Sequence, residues 1–286
     1  MMKVSIMITT KNRSPDLNKT LGVLKGLDPQ PLEVLITADG CSDDTVDMVK
    51  RELPDARLVI NEQGRGSVAS RDRMIREARG DLILAIDDDS YPEQKDALAD
   101  VSRFFEENPK LAVMGLPQRT DEYPESLTQT DFGAPRRIRS FTSSGAVLRK
   151  SIYLTLPGFA HEFFHMYEEP DYTLQCIAAG YEVIFMPQAP SIRHHWTGSG
   201  RSEMRNHQRH GRNEFWSTVM RCPMPYLIPV AAYRIYRQFG YACSRGMDWV
   251  IHEPQWWWAA IKGLPQVIKG RNPVSWTGYR KWLSLK

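Results

Sequence analysis

Residues 82–89 read Leu82-Ile83-Leu84-Ala85-Ile86-Asp87-Asp88-Asp89, an apolar run that stops on three carboxylates. So short an unbroken apolar run fits a strand covered on both faces, as strands of a parallel sheet are. Upstream, the runs at 4–8, 33–38 and 57–60 have the same character, and 111–116 repeats it downstream. Between them lie segments suited to helices, at 14–27, 42–52, 67–79 and 94–107. Ser14-Pro15 offers a cap and a first-turn proline, Ser42-Asp43-Asp44 caps the second helix, and Gly80 stops the third. Strands alternating with helices at this spacing predict an α/β fold with a doubly wound, mostly parallel sheet. Such sheets bind ligands beyond the carboxyl ends of their strands. Polar clusters fall there: 9–13 after the first strand, Asp39 after the second, and the acidic triplet after the fourth.

Further along, 117–140 is polar and weakly periodic, and reads as a loop over the site. Strand character returns at 143–149 and 181–186, with a helix at 170–179 that starts on Pro170 and stops at Gly180. Residues 203–221 read as a helix, and 223–286 as several short helices broken by Pro and Gly. The chain has 286 residues, 42% hydrophobic and 25% charged, as expected of a soluble globule. Its net charge of +3 is unevenly spread: 215–286 carries +8 and seven of the eight Trp, leaving −5 for the rest. A basic, Trp-rich end on an acidic body suggests two surfaces with different partners. Cys41, Cys176, Cys222 and Cys243 form no CxxC pair, so reduced thiols and a cytoplasmic setting are expected. The opening MMKVSIMITT reads as a buried strand, not a signal peptide, and no apolar run approaches the roughly 18 residues that span a bilayer.

If strand alternation continues through the triplet, Asp87 and Asp89 point one way and Asp88 the other. Adjacent carboxylates repel unless a cation sits between them, and carboxylate oxygens suit Mg²⁺ or Mn²⁺, which also engage substrate phosphates. The plainer reading is an acidic helix start before Pro92-Glu93, favoured by the dipole. A second motif competes. His161-Glu162-Phe163-Phe164-His165 fits HExxH, which on a helix would hold Zn²⁺ with Glu162 as base and Glu182 as a further ligand. Pro157-Gly158 and Pro170 leave that helix little room. GRGSVAS at 64–70 lacks the GK[ST] ending of a phosphate loop. Nucleic-acid binding is disfavoured, because the acidic body supplies no matching groove. Trp256-Trp257-Trp258 with Lys262 would suit the surface of a membrane, or would pack the helices inward.

Five segments together resemble the family 2 glycosyltransferases with the GT-A fold. They are VSIMITTKNR (4–13), ITADGCSDDT (36–45), SRDRMIREARGDLILAIDDDSYP (70–92), SGAVLRKSIYLTLPGF (144–159) and YEEPDYTLQCIAAGYEVIFMP (167–187). Each alone is a weak signal; five in order at compatible spacing are a strong one. The likeness spans roughly 3–195. It implies a catalytic domain at 1–200, with a donor half at about 1–116 and an acceptor side at about 117–200. Residues 201–286 would be a helical, basic, Trp-rich extension.

The resemblance also implies roles. Thr9 and Asp39 match positions that hold the nucleotide base, and Thr10, Asn12, Arg13 and Asp88 stand beside them in the donor site. Arg65 and Arg71 lie in a stretch that approaches the nucleotide. Asp87 would face the ribose, and Asp89 would bind Mn²⁺ or Mg²⁺ on the diphosphate, with His194 or His195 as a late metal contact. Glu169 stands where the family has an Asp as general base, and Glu168 is the alternative. Gly145, Ala146 and Glu162 match the acceptor side. Arg212 is a candidate cation for the leaving group, or else part of a solvated helix face. Ala38 replaces an acid usual in the family. No QxxRW-like segment appears, so processive polymer synthesis is not expected. The implied activity is inverting transfer from a UDP- or dTDP-sugar to a hydroxyl acceptor, in glycan, glycolipid or surface-polysaccharide synthesis. A lipid-linked acceptor would place the protein at the inner face of a membrane.

Overall fold

A computed structural model describes residues 1–195 and 202–285. The chain runs β1 (Val4–Thr10), α1 (Ser14–Leu24), β2 (Glu33–Asp39), α2 (Thr45–Glu52), β3 (Arg57–Asn61), α3 (Ser67–Glu77), β4 (Leu82–Asp87), β5 (Ser90–Pro92), α4 (Ala97–Glu107), β6 (Leu111–Gly115) and β7 (Gln118–Thr120). It continues with β8 (Arg136–Arg137), β9 (Ala146–Arg149), α5 (Lys150–Tyr153), α6 (Glu168–Ala178), β10 (Glu182–Phe185), β11 (Ile192–His194), α7 (Glu203–Arg221), α8 (Leu227–Arg245), α9 (Met247–Lys269) and α10 (Trp276–Leu283). Among the described residues the main sheet has the order β3-β2-β1-β4-β9-β6-β10-β8. β1, β2, β3 and β4 pair in parallel, as do β6 and β10. β9 lies between β4 and β6, antiparallel to both.

Strand alternation builds a core on each face. Met7, Leu35, Ile83 and Ala85 point toward α3, α5, α6 and α7. Ile6, Ile8, Ile36, Leu84 and Ile86 point toward α1, α2 and α4. Burying a side chain of this size contributes about 1.5–3 kcal/mol. This double cover is why the strands read as continuous apolar runs.

Two features depart from expectation. The stretch around the acidic triplet contributes to a second sheet, order β5-β11-β7, which its three-residue strands gave no periodicity to reveal. The region after 223 holds two long helices, not several short ones. α9 is continuous across Pro254 and Pro265. An interior proline costs about 3 kcal/mol, but Trp256, Ala260 and Val267 of the same helix are buried, which offsets it.

The C-terminal helices do not form a separate body. Trp216, Val219, Met220 and Val267 join the core on the α3 face. Arg221 makes a buried two-point ion pair with Asp171 of α6. Trp282 of α10 donates from Nε1 to the Arg139 carbonyl at 3.0 Å. Among the described residues Trp216, Trp256 and Trp282 are buried, whereas Trp258 is 59% exposed. The expected boundary at 200/201 lies outside the described residues.

Candidate active site

At the carboxyl ends of β1, β2 and β4, three carboxylates sit within a frame of arginines. β4 ends at Asp87, and the chain turns directly into β5, so strand alternation stops there. Asp88 and Asp89, not Asp87 and Asp89, therefore share a partner. Arg13 meets Asp88 Oδ1 at 2.9 Å and Asp89 Oδ2 at 2.8 Å, and reaches Asp16 through Nε at 3.1 Å. Thr10 donates to Asp88 Oδ2 at 2.9 Å. Burial pushes the Asp88 carboxyl up to about 7, with Arg13 pulling the other way.

Asp87 turns to the opposite side. Arg71, buried in α3, reaches Asp87 Oδ1 at 2.6 Å and Glu168 Oε1 at 2.8 Å. One guanidinium thus ties the end of β4 to the start of α6, two elements far apart in sequence. Glu168 is 1% exposed and its Oε2 has no hydrogen-bond partner among the described residues. Glu169 follows it, partly open to a cavity of about 460 Å³ lined by Arg71, Asp87, Ser143, His165, Asn206 and His210, among others. The Ser143 amide donates to Glu169 Oε1 at 3.4 Å. Desolvation, then the neighbouring Glu168 charge, pushes the Glu169 carboxyl up to about 7, with Arg71 opposing. A carboxylate with that proton affinity in a cavity is suited to general-base work.

Backbone strain supports this arrangement. Phe164, Met166 and Tyr167 all have positive φ, at 63°, 73° and 76°. Such positions persist where the surroundings over-determine them. Here Asn213, fully buried on α7, donates to the carbonyls of Phe163, His165 and Met166. The sequence reading passed over Asn213, since nothing local marks a clamp whose partners lie 47–50 residues away. Its neighbour Arg212 donates to the Phe163 carbonyl at 3.0 Å and stacks on Trp216, outside the cavity lining.

On the donor side, Asp39 accepts at Oδ1 from Asn61 (2.7 Å) and the Arg65 amide (2.9 Å), and at Oδ2 from the Gly66 amide (2.9 Å). Oδ2 keeps a lone pair for another donor. Thr9 pairs with Thr37 and Asp87 across the sheet. Asn12, in the left-handed region, joins its side chain to the Ser42 amide at 2.7 Å. The Arg65 side chain is exposed. Gly66 has φ +89°, and a Cβ there would lie 2.2 Å from the Phe164 carbonyl oxygen. Gly66→Ala is expected to cost about 2–4 kcal/mol in urea unfolding, by strain and overlap. Wild-type stability in that variant would mean the two loops do not meet.

His194 and His195 reach the triplet through β11. His194 Nδ1 lies 4.0 Å from Asp89 Oδ1. The His195 amide donates to the Asp89 carbonyl at 3.0 Å, its ring stacks on Tyr91, and both ring nitrogens, though buried, lack hydrogen-bond partners among the described residues. Gly145 closes the buried Ser143–Gly145 turn, whose Ser143 amide meets Glu169, and the buried Ala146 follows as the first residue of β9.

The protease-like segment is corrected outright. His161–Phe163 is a 3-10 turn, and the left-handed Phe164 ends it. His161 therefore meets Asp72 at 2.9 Å while His165 meets Ser67 at 2.9 Å. No helix face presents both rings, as zinc binding by HExxH requires. Glu162 lines a separate recess with His161 and Arg76, away from Glu169.

Comparisons with known proteins bear on the family and the fold. The model of the family described as Glycosyl transferase family 2 matches residues 5–171. The "Uncharacterized glycosyltransferase YwdF" of Bacillus subtilis (strain 168) is 30% identical over 202 residues, 67% of this chain and 74% of that protein. Among solved structures, S. aureus TarS 1-349 in complex with UDP aligns with a TM-score of 0.63 at 18% identity, covering 89% of this chain and 78% of that one. The mannosyltransferase PcManGT of Pyrobaculum calidifontis, in complex with GDP-Man and Mn²⁺, aligns at 0.58 with 17% identity, covering 94% and 84%.

Proposed function

Because the chain belongs to glycosyltransferase family 2, we propose that it moves a sugar from a nucleoside-diphosphate sugar to a hydroxyl acceptor by single displacement, inverting the anomeric carbon. The observation that carries this reading is the cavity shared by Asp87, Arg71 and Glu169, at the carboxyl ends of the parallel strands. The acceptor oxygen forms its bond to the anomeric carbon as the bond to the diphosphate breaks. Glu169 takes the acceptor proton, and Glu168, fixed by Arg71, holds Glu169 at a raised proton affinity.

Among the described residues no three ligating side chains converge, so a divalent cation would rest on two, Asp89 Oδ1 and His194 Nδ1, 4.0 Å apart, with water and the diphosphate supplying the remaining ligands. Asp89 and His194 would hold Mn²⁺ or Mg²⁺, which when bound supplies Lewis-acid stabilisation of the leaving diphosphate. PcManGT was solved with Mn²⁺ and a nucleotide sugar, which supports the same pairing here. Thr9, Asp39 and Asp87 line the nucleotide side, and the UDP complex of TarS supports a UDP- or dTDP-sugar as donor. The acceptor side is the Glu169 cavity. The acceptor class in this reading is a glycolipid or surface-polysaccharide precursor.

A thermal-shift screen of nucleotide sugars with Mn²⁺ or Mg²⁺ tests this. A bound donor at a hundred times its Kd should stabilise by about 2.7 kcal/mol. Asp89→Ala should remove the metal-dependent part of that shift. No stabilisation by any nucleotide sugar with either metal would overturn the reading.

A further inference from the structure

The outward face of α8 and α9 carries a long apolar strip that the protein itself does not cover. On α9 the positions 247, 251, 254, 258, 261, 265 and 268 recur in alternating steps of four and three, which places them on one side of a helix. They are Met247, Ile251, Pro254, Trp258, Ile261, Pro265 and Ile268, and all are exposed. The opposite side of α9 faces α7: Glu253 binds His207, Trp256 packs on Gly211, and the Ala260 carbonyl accepts from Trp216. α8 is oriented alike. Its buried Arg234 and Gln238 reach Glu214 of α7, while Ile228, Tyr233 and Tyr236 stand in solvent, Tyr236 at 74% exposure. Since both helices turn their buried sides to α7, their exposed sides form one surface.

On the exposed side of α9, Lys262 and Lys269 stand in solvent, while Arg245 at the end of α8 pairs with Glu203. The acids of α8, α9 and α10 are Asp248 and Glu253, and Glu253 is buried against His207 and Trp256. Lys262 lies over the Trp258 ring, 5.1 Å from its centre, a cation beside an exposed aromatic. Isolated exposed apolar side chains need no explanation, but a contiguous strip of this extent marks an interaction surface. Two copies of the chain meeting through it would bring like charges together. An anionic lipid surface complements both the apolar strip and the cations.

We propose that the α8–α9 face docks flat on an anionic lipid surface, with Ile251, Trp258, Ile261 and Ile268 entering the headgroup region and Lys262 and Lys269 meeting the lipid charge. The inward-packed Trp residues take little part; the Ile residues and Trp258 make the contact. This docking stands apart from the transfer chemistry, because lipid binding alone reads it out.

The test is co-sedimentation of the purified full chain with vesicles of phosphatidylcholine, with and without about one third phosphatidylglycerol, at low and high salt. Binding should require the anionic lipid and weaken with salt. I251E/I261E should weaken it by about tenfold or more. K262E/K269E should do the same by a charge-dependent route, and both variants should keep the wild-type thermal unfolding. Absence of binding to anionic vesicles at low salt would overturn the proposal. So would equal binding by the I251E/I261E variant, or a concentration-dependent dimer, abolished by I251E/I261E, in a chain that ignores vesicles.

Discussion

Glu169→Gln is expected to lower sugar transfer by about 10²–10⁴-fold while leaving nucleotide-sugar binding near wild type. The amide keeps the shape and the Ser143 contact but cannot accept the acceptor's proton. The loss should appear in kcat with little change in donor affinity, since the Glu169 carboxylate hydrogen-bonds the Ser143 amide and not a donor-side side chain among the described residues. Glu169→Asp tests reach: the side chain is one methylene shorter, so partial activity is expected from a base set back from the acceptor. Unchanged turnover in Glu169→Gln would remove Glu169 from the chemistry and leave Glu168 or Asp87 to be examined.

The same side chain sets a pH dependence. Burial and Glu168 push the Glu169 carboxyl up to about 7. Only its deprotonated form can act as base, so the rate should rise with pH through about 7 and level off above. Glu169→Gln should remove that inflection together with the rate. A profile already flat from pH 5 upward in the wild type would mean the carboxyl is ionised throughout, contrary to its burial.

How much of this could be read from sequence follows the range of the interactions. The parallel strands were legible because burial on both faces writes itself as local apolar runs. β5, β7 and β11 were not, because three-residue strands have no periodicity to display. The acidic triplet stands at the end of a central strand, as read, but strand geometry does not persist through it: Asp89 goes with Asp88 to Arg13, not with Asp87, which meets Arg71. No local signal announces that turn, which arises where β4 gives way to the small sheet. Long-range clamps were the least visible. Asn213 orders the 163–166 loop from α7, and Arg212 beside it caps the Phe163 carbonyl and stacks on Trp216, contacts that no local pattern marks. The heptad-like strip on α9 was hidden behind Trp256-Trp257-Trp258, whose members turn out to face different ways.

Arg71→Ala is expected to destabilise the fold by about 3–5 kcal/mol at pH 8, the usual cost of leaving a buried charge without its partner. Arg71 stands between Asp87 and Glu168, and Glu168 is almost wholly enclosed. Without the guanidinium, two adjacent carboxylates at the start of α6 face each other with less compensation. Glu169, whose carboxyl is already raised by burial, would lose the opposing Arg71 charge and bind its proton more tightly still in the folded state. For a group whose folded pKa is raised, stability is present below the unfolded value and lost as pH rises through the folded one. The variant's deficit should therefore shrink toward pH 5 and grow toward pH 8, as urea unfolding at the two values would show. Arg71→Lys should recover only part, because one ammonium cannot reproduce the two-armed contact. R71M/E168L removes both charges and should be closer to wild type in stability than Arg71→Ala. A deficit in Arg71→Ala that does not change with pH would mean the arginine acts by packing alone, and the coupling drawn here between the end of β4 and the base on α6 would fail.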